Sequence, residues 1–92
     1  MGDDSGSALW LNVYPDPVQG AARVEFVLAA AGKVRLQVLD MQGVRVKVLS
    51  NGAFSAGRQS VGLDAGALPA GVYLVRLETS AGSVTRRFVV GR

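Results

Sequence analysis

The serine hydroxyls are the first groups in this sequence that could do covalent chemistry, and they lack the usual partners. The chain of 92 residues contains no histidine and no cysteine. Histidine is the commonest general base, and imidazole and thiolate groups provide most zinc ligands. A serine–lysine pair would have to use Lys33 or Lys47, which the pattern places at exposed strand positions. The sequence therefore predicts a protein that is not an enzyme and has no cofactor.

Three aspartates precede glycine-containing segments and could bind a hard cation. Asp16, Asp40 and Asp64 all lie in predicted turns, where aspartate commonly hydrogen-bonds to its own backbone. A calcium site needs several convergent oxygens, and no run of alternating aspartates occurs. The glycines also lack the spacing of a phosphate-binding loop. These residues are interpreted as turn formers, and calcium binding stays the weaker alternative.

Two aromatic residues on the first predicted strand could form a platform for sugars. Trp10 and Tyr14 share a face only if that strand is regular. A contribution to the hydrophobic core is the favoured interpretation, because one tryptophan is ordinary for a core. Carbohydrate binding is kept as an alternative.

The charge pattern argues against nucleic acid and membrane partners. Ten lysines and arginines stand against seven acidic residues, a net charge of +3. The cations are spread singly along the chain, whereas a nucleic-acid site usually clusters them with aromatic residues. No apolar run approaches the roughly 18 residues of a membrane span. Neither nucleic-acid binding nor membrane insertion is expected.

The elements that carry these residues follow a period of two. Residues 1–8 are small and polar and are interpreted as a tail or linker remnant, and residues 9–92 have the size of one small domain. From Leu9 onward, short alternating runs are interrupted by turn residues about every 8–12 positions. The pattern predicts an all-β protein, an immunoglobulin-like antiparallel β-sandwich of about seven strands in two sheets.

Individual strands can be assigned from the same pattern. The first strand is expected to stop at Pro15, and the second to place Ala22, Val24, Phe26 and Leu28 on one face. A hairpin is predicted across residues 40–43, with a further turn at residues 50–52. The segment 71–78 is apolar on both faces, which favours the centre of a sheet.

Tyr73 follows a proline- and glycine-containing corner at the start of a predicted strand. This placement is typical of the tyrosine corner of immunoglobulin-like sandwiches, in which the hydroxyl bonds to backbone just upstream. The alternative is that Tyr73 contributes only its ring to the core. Both interpretations make the residue structural.

Four segments, taken in their order along the chain, resemble the motifs of a known family. They are Leu11-Asn12-Val13-Tyr14-Pro15-Asp16-Pro17 with Gly20, Val38-Leu39-Asp40-Met41-Gln42-Gly43, Leu68-Pro69-Ala70-Gly71-Val72-Tyr73-Leu74-Val75-Arg76-Leu77, and Arg87-Phe88-Val89-Val90-Gly91-Arg92. This series resembles the type A C-terminal sorting domain of the type IX secretion system. The resemblance covers nearly the whole chain from Leu9 to Arg92.

The resemblance implies an immunoglobulin-like sandwich carried at the C-terminus of cargo proteins in Bacteroidetes-type bacteria. Such a domain is a non-catalytic secretion signal. Its cargo, linked on the N-terminal side, crosses the periplasm and passes through the outer-membrane translocon to the cell surface or the medium. A sortase commonly removes the domain. The implied partners are therefore the translocon, the sortase and the linked cargo.

The resemblance also assigns residues. Those matching the family's turn and strand motifs, with mainly structural roles, are Pro15, Pro17, Gly20, Asp40, Gly43, Gly71 and Tyr73. Those implied in translocon recognition are Arg87, Phe88, Val89, Val90 and Arg92. Asp16 stands where the family more often has asparagine, and arginines stand in place of the usual terminal lysines, which keeps the charge but not the lysine chemistry.

A physical route to recognition is available at the last predicted strand. If this strand lies at a sheet edge, a translocon component could add a strand to it, and Arg86, Arg87 and Arg92 would supply charge. The alternative is that Arg86 and Arg87 protect the edge from aggregation. The competing function is a structural or adhesive immunoglobulin-like module of a cell-surface protein.

Overall fold

The computed structural model describes residues 8–91, and within them the chain forms seven β-strands. The strands are β1 (Ala8–Gln19), β2 (Ala21–Leu28), β3 (Gly32–Asp40), β4 (Arg45–Phe54), β5 (Gly57–Asp64), β6 (Gly71–Thr79) and β7 (Gly82–Val90). The tail expected over residues 1–8 lies outside the described residues except for Ala8, with which β1 begins. Arg92 also lies outside them.

The strands form two packed sheets, which confirms the predicted immunoglobulin-like sandwich. A three-stranded sheet contains β1, β2 and β5, and a four-stranded sheet has the order β4, β3, β6, β7. All ladders are antiparallel except one parallel bridge between Val18 of β1 and Val90 of β7. β6 lies between β3 and β7, as its apolar character on both faces predicted.

The core lies between the two sheets and follows the predicted alternation. Ala22, Val24, Phe26 and Leu28 are all buried on the inner face of β2. The four-stranded sheet contributes the inner faces of β3, β6 and β7, including the fully buried Phe88. Phe26 also meets the ring of Phe54 edge-on, with centroids 5.6 Å apart. Burial of alternate residues from both sheets supplies the main driving force for folding.

The first strand does not stop at Pro15, and this prediction was wrong. β1 pairs with β2 continuously from Trp10 to Tyr14, crosses to the other sheet to bridge β7 at Val18, and pairs with β2 once more at Gln19, opposite Ala21. Pro15 and Pro17 cannot donate backbone hydrogen bonds, so the ladder with β2 is lost there while the chain stays extended. The peptide bonds preceding both prolines are cis.

The predicted hairpin is present between β3 and β4, but the turn expected at residues 50–52 is not. Asn51 and Gly52 continue the ladder, opposite Arg35 and Val34 of β3. Pairing with a neighbouring strand outweighs the local turn preference of these residues. β4 therefore runs on to Phe54 as one long strand at the margin of the four-stranded sheet.

Candidate functional site

The four sequence motifs lie side by side at one end of the four-stranded sheet. Asp40 of β3 pairs with Tyr73 of β6, and Tyr73 pairs with Phe88 of β7. Val90 then bridges Val18 of β1, within the first motif. We call this region, formed by residues 15–20, 40–43, 71–73 and 87–91, the motif end. Segments far apart in sequence thus form one continuous row across the sheet.

Asp40 organises the turn that begins the motif end. Its Oδ1 accepts hydrogen bonds from the backbone N–H groups of Gln42 and Val44, both at 2.9 Å. Gly43 has a φ of 85°, a left-handed conformation that favours glycine. Asp64 likewise accepts from the N–H of Gly66 at 3.0 Å. The turn interpretation is confirmed for these two aspartates.

Tyr73 forms the tyrosine corner that its position predicted. Its hydroxyl donates to the carbonyl oxygen of Pro69 at 2.6 Å. The ring is buried and stacks on Phe88 with centroids 6.0 Å apart. The tyrosine-corner interpretation is therefore confirmed, and the alternative that Tyr73 contributes only its ring was wrong, since the hydroxyl fixes the corner while the ring also fills the core.

Asp16 departs from the turn interpretation, because its carboxylate reaches the last strand. Its Oδ1 accepts a hydrogen bond from the N–H of Val89 at 3.1 Å, and the N–H of Gly91 donates to the carbonyl of Val18 at 2.8 Å. A Cβ placed on Gly91 would come within 3.3 Å of Pro17 Cβ. We call residues 16–18 together with residues 89–91 the clasp. It covers the C-terminal end of β7, which is therefore not a free edge over its full length.

The residues assigned to translocon recognition divide into two groups. Phe88 and Val90 are buried in the core, where they anchor β7. Arg87 and Val89 are exposed on the opposite face of the same strand. Arg92 lies outside the described residues. A partner that meets the folded domain thus has access to the side chains of Arg87 and Val89.

Comparison with known families settles the relationship of this chain. The sequence model of the secretion system C-terminal sorting domain matches residues 12–91. The chain belongs to this family. The match spans all four motifs of the motif end, and it identifies the chain as a type IX secretion sorting domain. A search of curated proteins gives no match.

The family sets the coarse function of the sorting domain. Its members act with the type IX secretion system as C-terminal sorting signals and are not catalytic in general. A protein that carries such a domain is exported to the cell surface or the extracellular space.

The outer face of the four-stranded sheet adds apolar surface beside Arg87 and Val89. Tyr73 and Val75 point into the core, so Val72 and Leu74 point outward. Val72 lies directly opposite Val89, and Leu74 lies opposite Arg87. The sorting domain therefore presents an apolar strip with a cation at the motif end. The apolar character of residues 71–78 on both faces was the sequence signal for this strip.

Trp10 and Tyr14 are not in the core, so the favoured interpretation of these residues was wrong. Leu11 and Val13 are buried, and the regular pairing of residues 10–14 with β2 turns Trp10 and Tyr14 together to the outer face of the three-stranded sheet. They are 39% and 68% exposed. The guanidinium of Arg58 lies 5.7 Å from the centroid of the Trp10 ring, a cation–π contact.

Further features of the described part of the sorting domain concern metal-ligand clusters, pockets and membrane spans. Within it, no three histidine, cysteine, aspartate or glutamate side chains group as metal ligands. An open depression of about 300 Å³ lies at the opposite end of the sandwich, lined by residues that include Lys33, Arg35 and Glu78. None of the described residues forms a helix long and apolar enough to cross a membrane.

Proposed function

We propose that this sorting domain directs a cargo protein, linked on its N-terminal side, through the outer-membrane type IX translocon to the cell surface, and that the domain has no enzymatic activity. The observation that carries the proposal is the division of the last strand. Phe88 and Val90 hold the strand in the core, and Arg87 and Val89 present a cation and an apolar group to a partner. The alternation fixes both positions relative to the core.

The backbone of β7 gives the translocon a second means of recognition. The N–H groups of Val89 and Gly91 point toward β1, so by alternation those of Thr85 and Arg87 point the same way. Among the described residues, no strand pairs with residues 83–87 on the side of β7 that faces β1. A partner strand added there would end where the clasp begins.

The positive charges on β7 favour a translocon strand that carries acidic residues, added beside residues 83–87. Arg86 and Arg87 both lie within the unpaired stretch, and the guanidinium of Arg86 reaches to within 3.5 Å of the carbonyl oxygen of Leu11. Carboxylates on the added strand would pair with these cations and suit the net positive charge of the domain. The same two arginines disfavour pairing of β7 with β7 of another copy.

We further propose that a sortase separates the domain from its cargo after transit through the periplasm. The support is the resemblance to the family, which implies a sortase and a cargo linked on the N-terminal side, the side on which β1 lies. The cut would fall in the segment before β1, so the folded sandwich would be released whole.

The test is delivery of a fluorescent passenger in a type IX host. A passenger with an N-terminal signal peptide is fused to residues 3–92 or to residues 3–87, and the cells are fractionated. The first fusion is expected at the surface or in the medium and the second in the periplasm. Retention of both, with the host's own cargo exported, would overturn the proposal and favour the adhesive module.

Point variants separate recognition from folding, because residues 3–87 also lack the buried Phe88. Arg87→Ala combined with Val89→Ser changes only exposed side chains and is expected to leave the passenger in the periplasm. Lys33→Ala is the matched control, since Lys33 is an exposed cation at the other end of the sheet. Normal export of the double variant would remove these two side chains from the recognition surface.

A further inference from the structure

Exposed valines concentrate at one margin of the sandwich, away from β7. Val44, directly before β4, and Val46 and Val48 in its first half are exposed by 57%, 40% and 46%. β4 is the outermost strand of the four-stranded sheet, and its ten residues make it long for an edge strand. By comparison β5, an outermost strand of the three-stranded sheet, has no large exposed hydrophobic residue. The margin of β4 is therefore unusual within this domain.

The charges at this margin have one sign. Arg45 and Lys47 alternate with the valines, and β4 contains no acidic residue. The nearest acid in the sequence is Asp40, whose carboxylate accepts two backbone hydrogen bonds within the turn. Backbone groups on the side of β4 that faces away from β3 have no strand partner among the described ladders, and they occur together with exposed β-branched side chains and cations over residues 45–48. The backbone N–H and carbonyl of Val44 are both bonded to Asp40. Such a surface is complementary to an extended segment that carries acidic and apolar residues in alternation.

We propose that the margin of β4 binds an extended acidic segment of a partner protein as an added β-strand. Backbone hydrogen bonds would supply affinity, and side chains at alternate positions would supply specificity. Carboxylates would lie opposite Arg45 and Lys47, and apolar groups opposite Val46 and Val48, at cross-strand distances of about 5 Å. Register shifts at Val46 and Leu49 bend β4, so the added strand is expected to be short, about four residues opposite residues 45–48.

The charges make a second copy of this chain a poor occupant. Antiparallel pairing of two β4 strands about Val46 would set Arg45 of each copy opposite Lys47 of the other, and like charges directly opposite destabilise a sheet. An anionic lipid surface also fits less well. Interfacial surfaces bury Trp, Phe or Leu, whereas this margin carries valines, and lipid would leave the backbone groups of the edge unpaired.

The test uses the full chain and a fluorescein-labelled heptapeptide of alternating glutamate and valine, with a lysine–valine heptapeptide as the charge-reversed probe. Fluorescence anisotropy is expected to show binding of the acidic probe that weakens with salt, and at least about tenfold weaker binding of the basic probe. Hydrogen exchange is expected to slow, when the acidic probe binds, at those backbone amides of residues 45–48 that point away from β3.

Variants then test the side chains. Arg45→Glu with Lys47→Glu is expected to weaken the acidic probe at least about tenfold and to strengthen the basic probe. Val46→Thr with Val48→Thr keeps the β-branched shape and is expected to weaken the acidic probe, because apolar contact is lost. Arg58→Glu is the control, because Arg58 is an exposed cation on β5, an outermost strand of the three-stranded sheet, and it is expected to leave binding unchanged.

Four outcomes would overturn the proposal: no binding of the acidic probe, equal binding of the two probes, protection at β7 instead of β4, or a dimer in analytical ultracentrifugation with β4 already protected. The binding assay needs no secretion machinery. It can therefore fail while the export test succeeds, or succeed while that test fails.

Discussion

The carboxylate of Asp16 accepts a hydrogen bond from the backbone N–H of Val89, 3.1 Å away, and so joins two motifs that lie 73 positions apart. The bridge between Val18 and Val90 and the hydrogen bond from Gly91 to Val18 continue the same contact along the chain. The clasp therefore ties the end of β7 to the segment in which β1 changes sheets. The clasp thus adds to the ladder with β6, which pairs with β7 as far as Val90.

Asp16→Ala is expected to lower the free energy of unfolding by about 1 kcal/mol, the usual net value of such a hydrogen bond. Asp16→Asn keeps an oxygen at the same position and is expected to lose less than half as much. Urea denaturation followed by circular dichroism measures both variants. Equal losses would show that the oxygen of Asp16 is not what holds Val89.

The family more often has asparagine at the position of Asp16, and the contact with Val89 explains why aspartate can take its place. Both side chains present an acceptor oxygen, so either can receive the N–H of Val89. The sequence could not reveal this role, since local preference places aspartate in its own turn and the partner is distant along the chain. Asp40 and Asp64 were predicted correctly because their partners lie two to four positions away.

Tyr73→Phe is expected to lower the free energy of unfolding by about 1 kcal/mol, because the carbonyl of Pro69 loses its hydrogen-bond donor while the stacking on Phe88 is kept. In a domain of this size that loss lowers the melting temperature by roughly 4–8 °C. Tyr14→Phe is the matched control, since Tyr14 is 68% exposed, and its melting temperature is expected to stay nearly unchanged. Equal shifts in the two variants would contradict the tyrosine corner.

The period-two pattern predicted most of the fold because inner and outer residues alternate so regularly in β2, β6 and β7. The pattern failed for β1 because Pro15 and Pro17, which lack an N–H, end the ladder with β2 but leave the chain extended. Nothing in the neighbouring sequence shows that the chain then reaches the second sheet. The pattern also failed for Trp10, because composition alone favoured the core, whereas the register of β1 against β2 places Leu11 inside and Trp10 outside.

Gly43→Ala is expected to destabilise the domain by about 1–2 kcal/mol, because position 43 has a φ of 85° and side chains rarely adopt that conformation. Gly62→Ala is expected to have the opposite sign, a gain of up to about 0.5 kcal/mol. Its Cβ would meet nothing within 4 Å, and alanine lowers the entropy of the unfolded chain. Urea denaturation of the two variants and the unchanged domain measures the differences in the free energy of unfolding. Destabilisation by both variants to the same extent would contradict the role of the turn.

The residues proposed for translocon recognition were predicted from the family resemblance, and their division into buried and exposed groups follows from the register of β7. Alternation alone puts Phe88 and Val90 on one face and Arg87 and Val89 on the other. Which face is buried depends on Tyr73, which stacks on Phe88 from the neighbouring strand. That contact joins residues in two separate motifs, so it became visible only in the folded chain.

Phe88→Ala and the double variant Arg87→Ala, Val89→Ser are expected to affect different properties. Phe88 is 1% exposed, and its loss should cost about 3–5 kcal/mol, a large part of the total stability of about 5–14 kcal/mol expected for a chain of this length. The double variant should cost about 1 kcal/mol or less, since both side chains are exposed.

Thermal denaturation of the purified variants, read beside export of the fused passenger, separates the two effects. Phe88→Ala is expected to lose export and stability together, because the last strand no longer holds its place in the sheet. The double variant is expected to lose export while its melting temperature falls by only a few degrees. If the double variant instead lost stability as severely as Phe88→Ala, Arg87 and Val89 would have to be regarded as structural, and recognition would have to be sought in the backbone of residues 83–87.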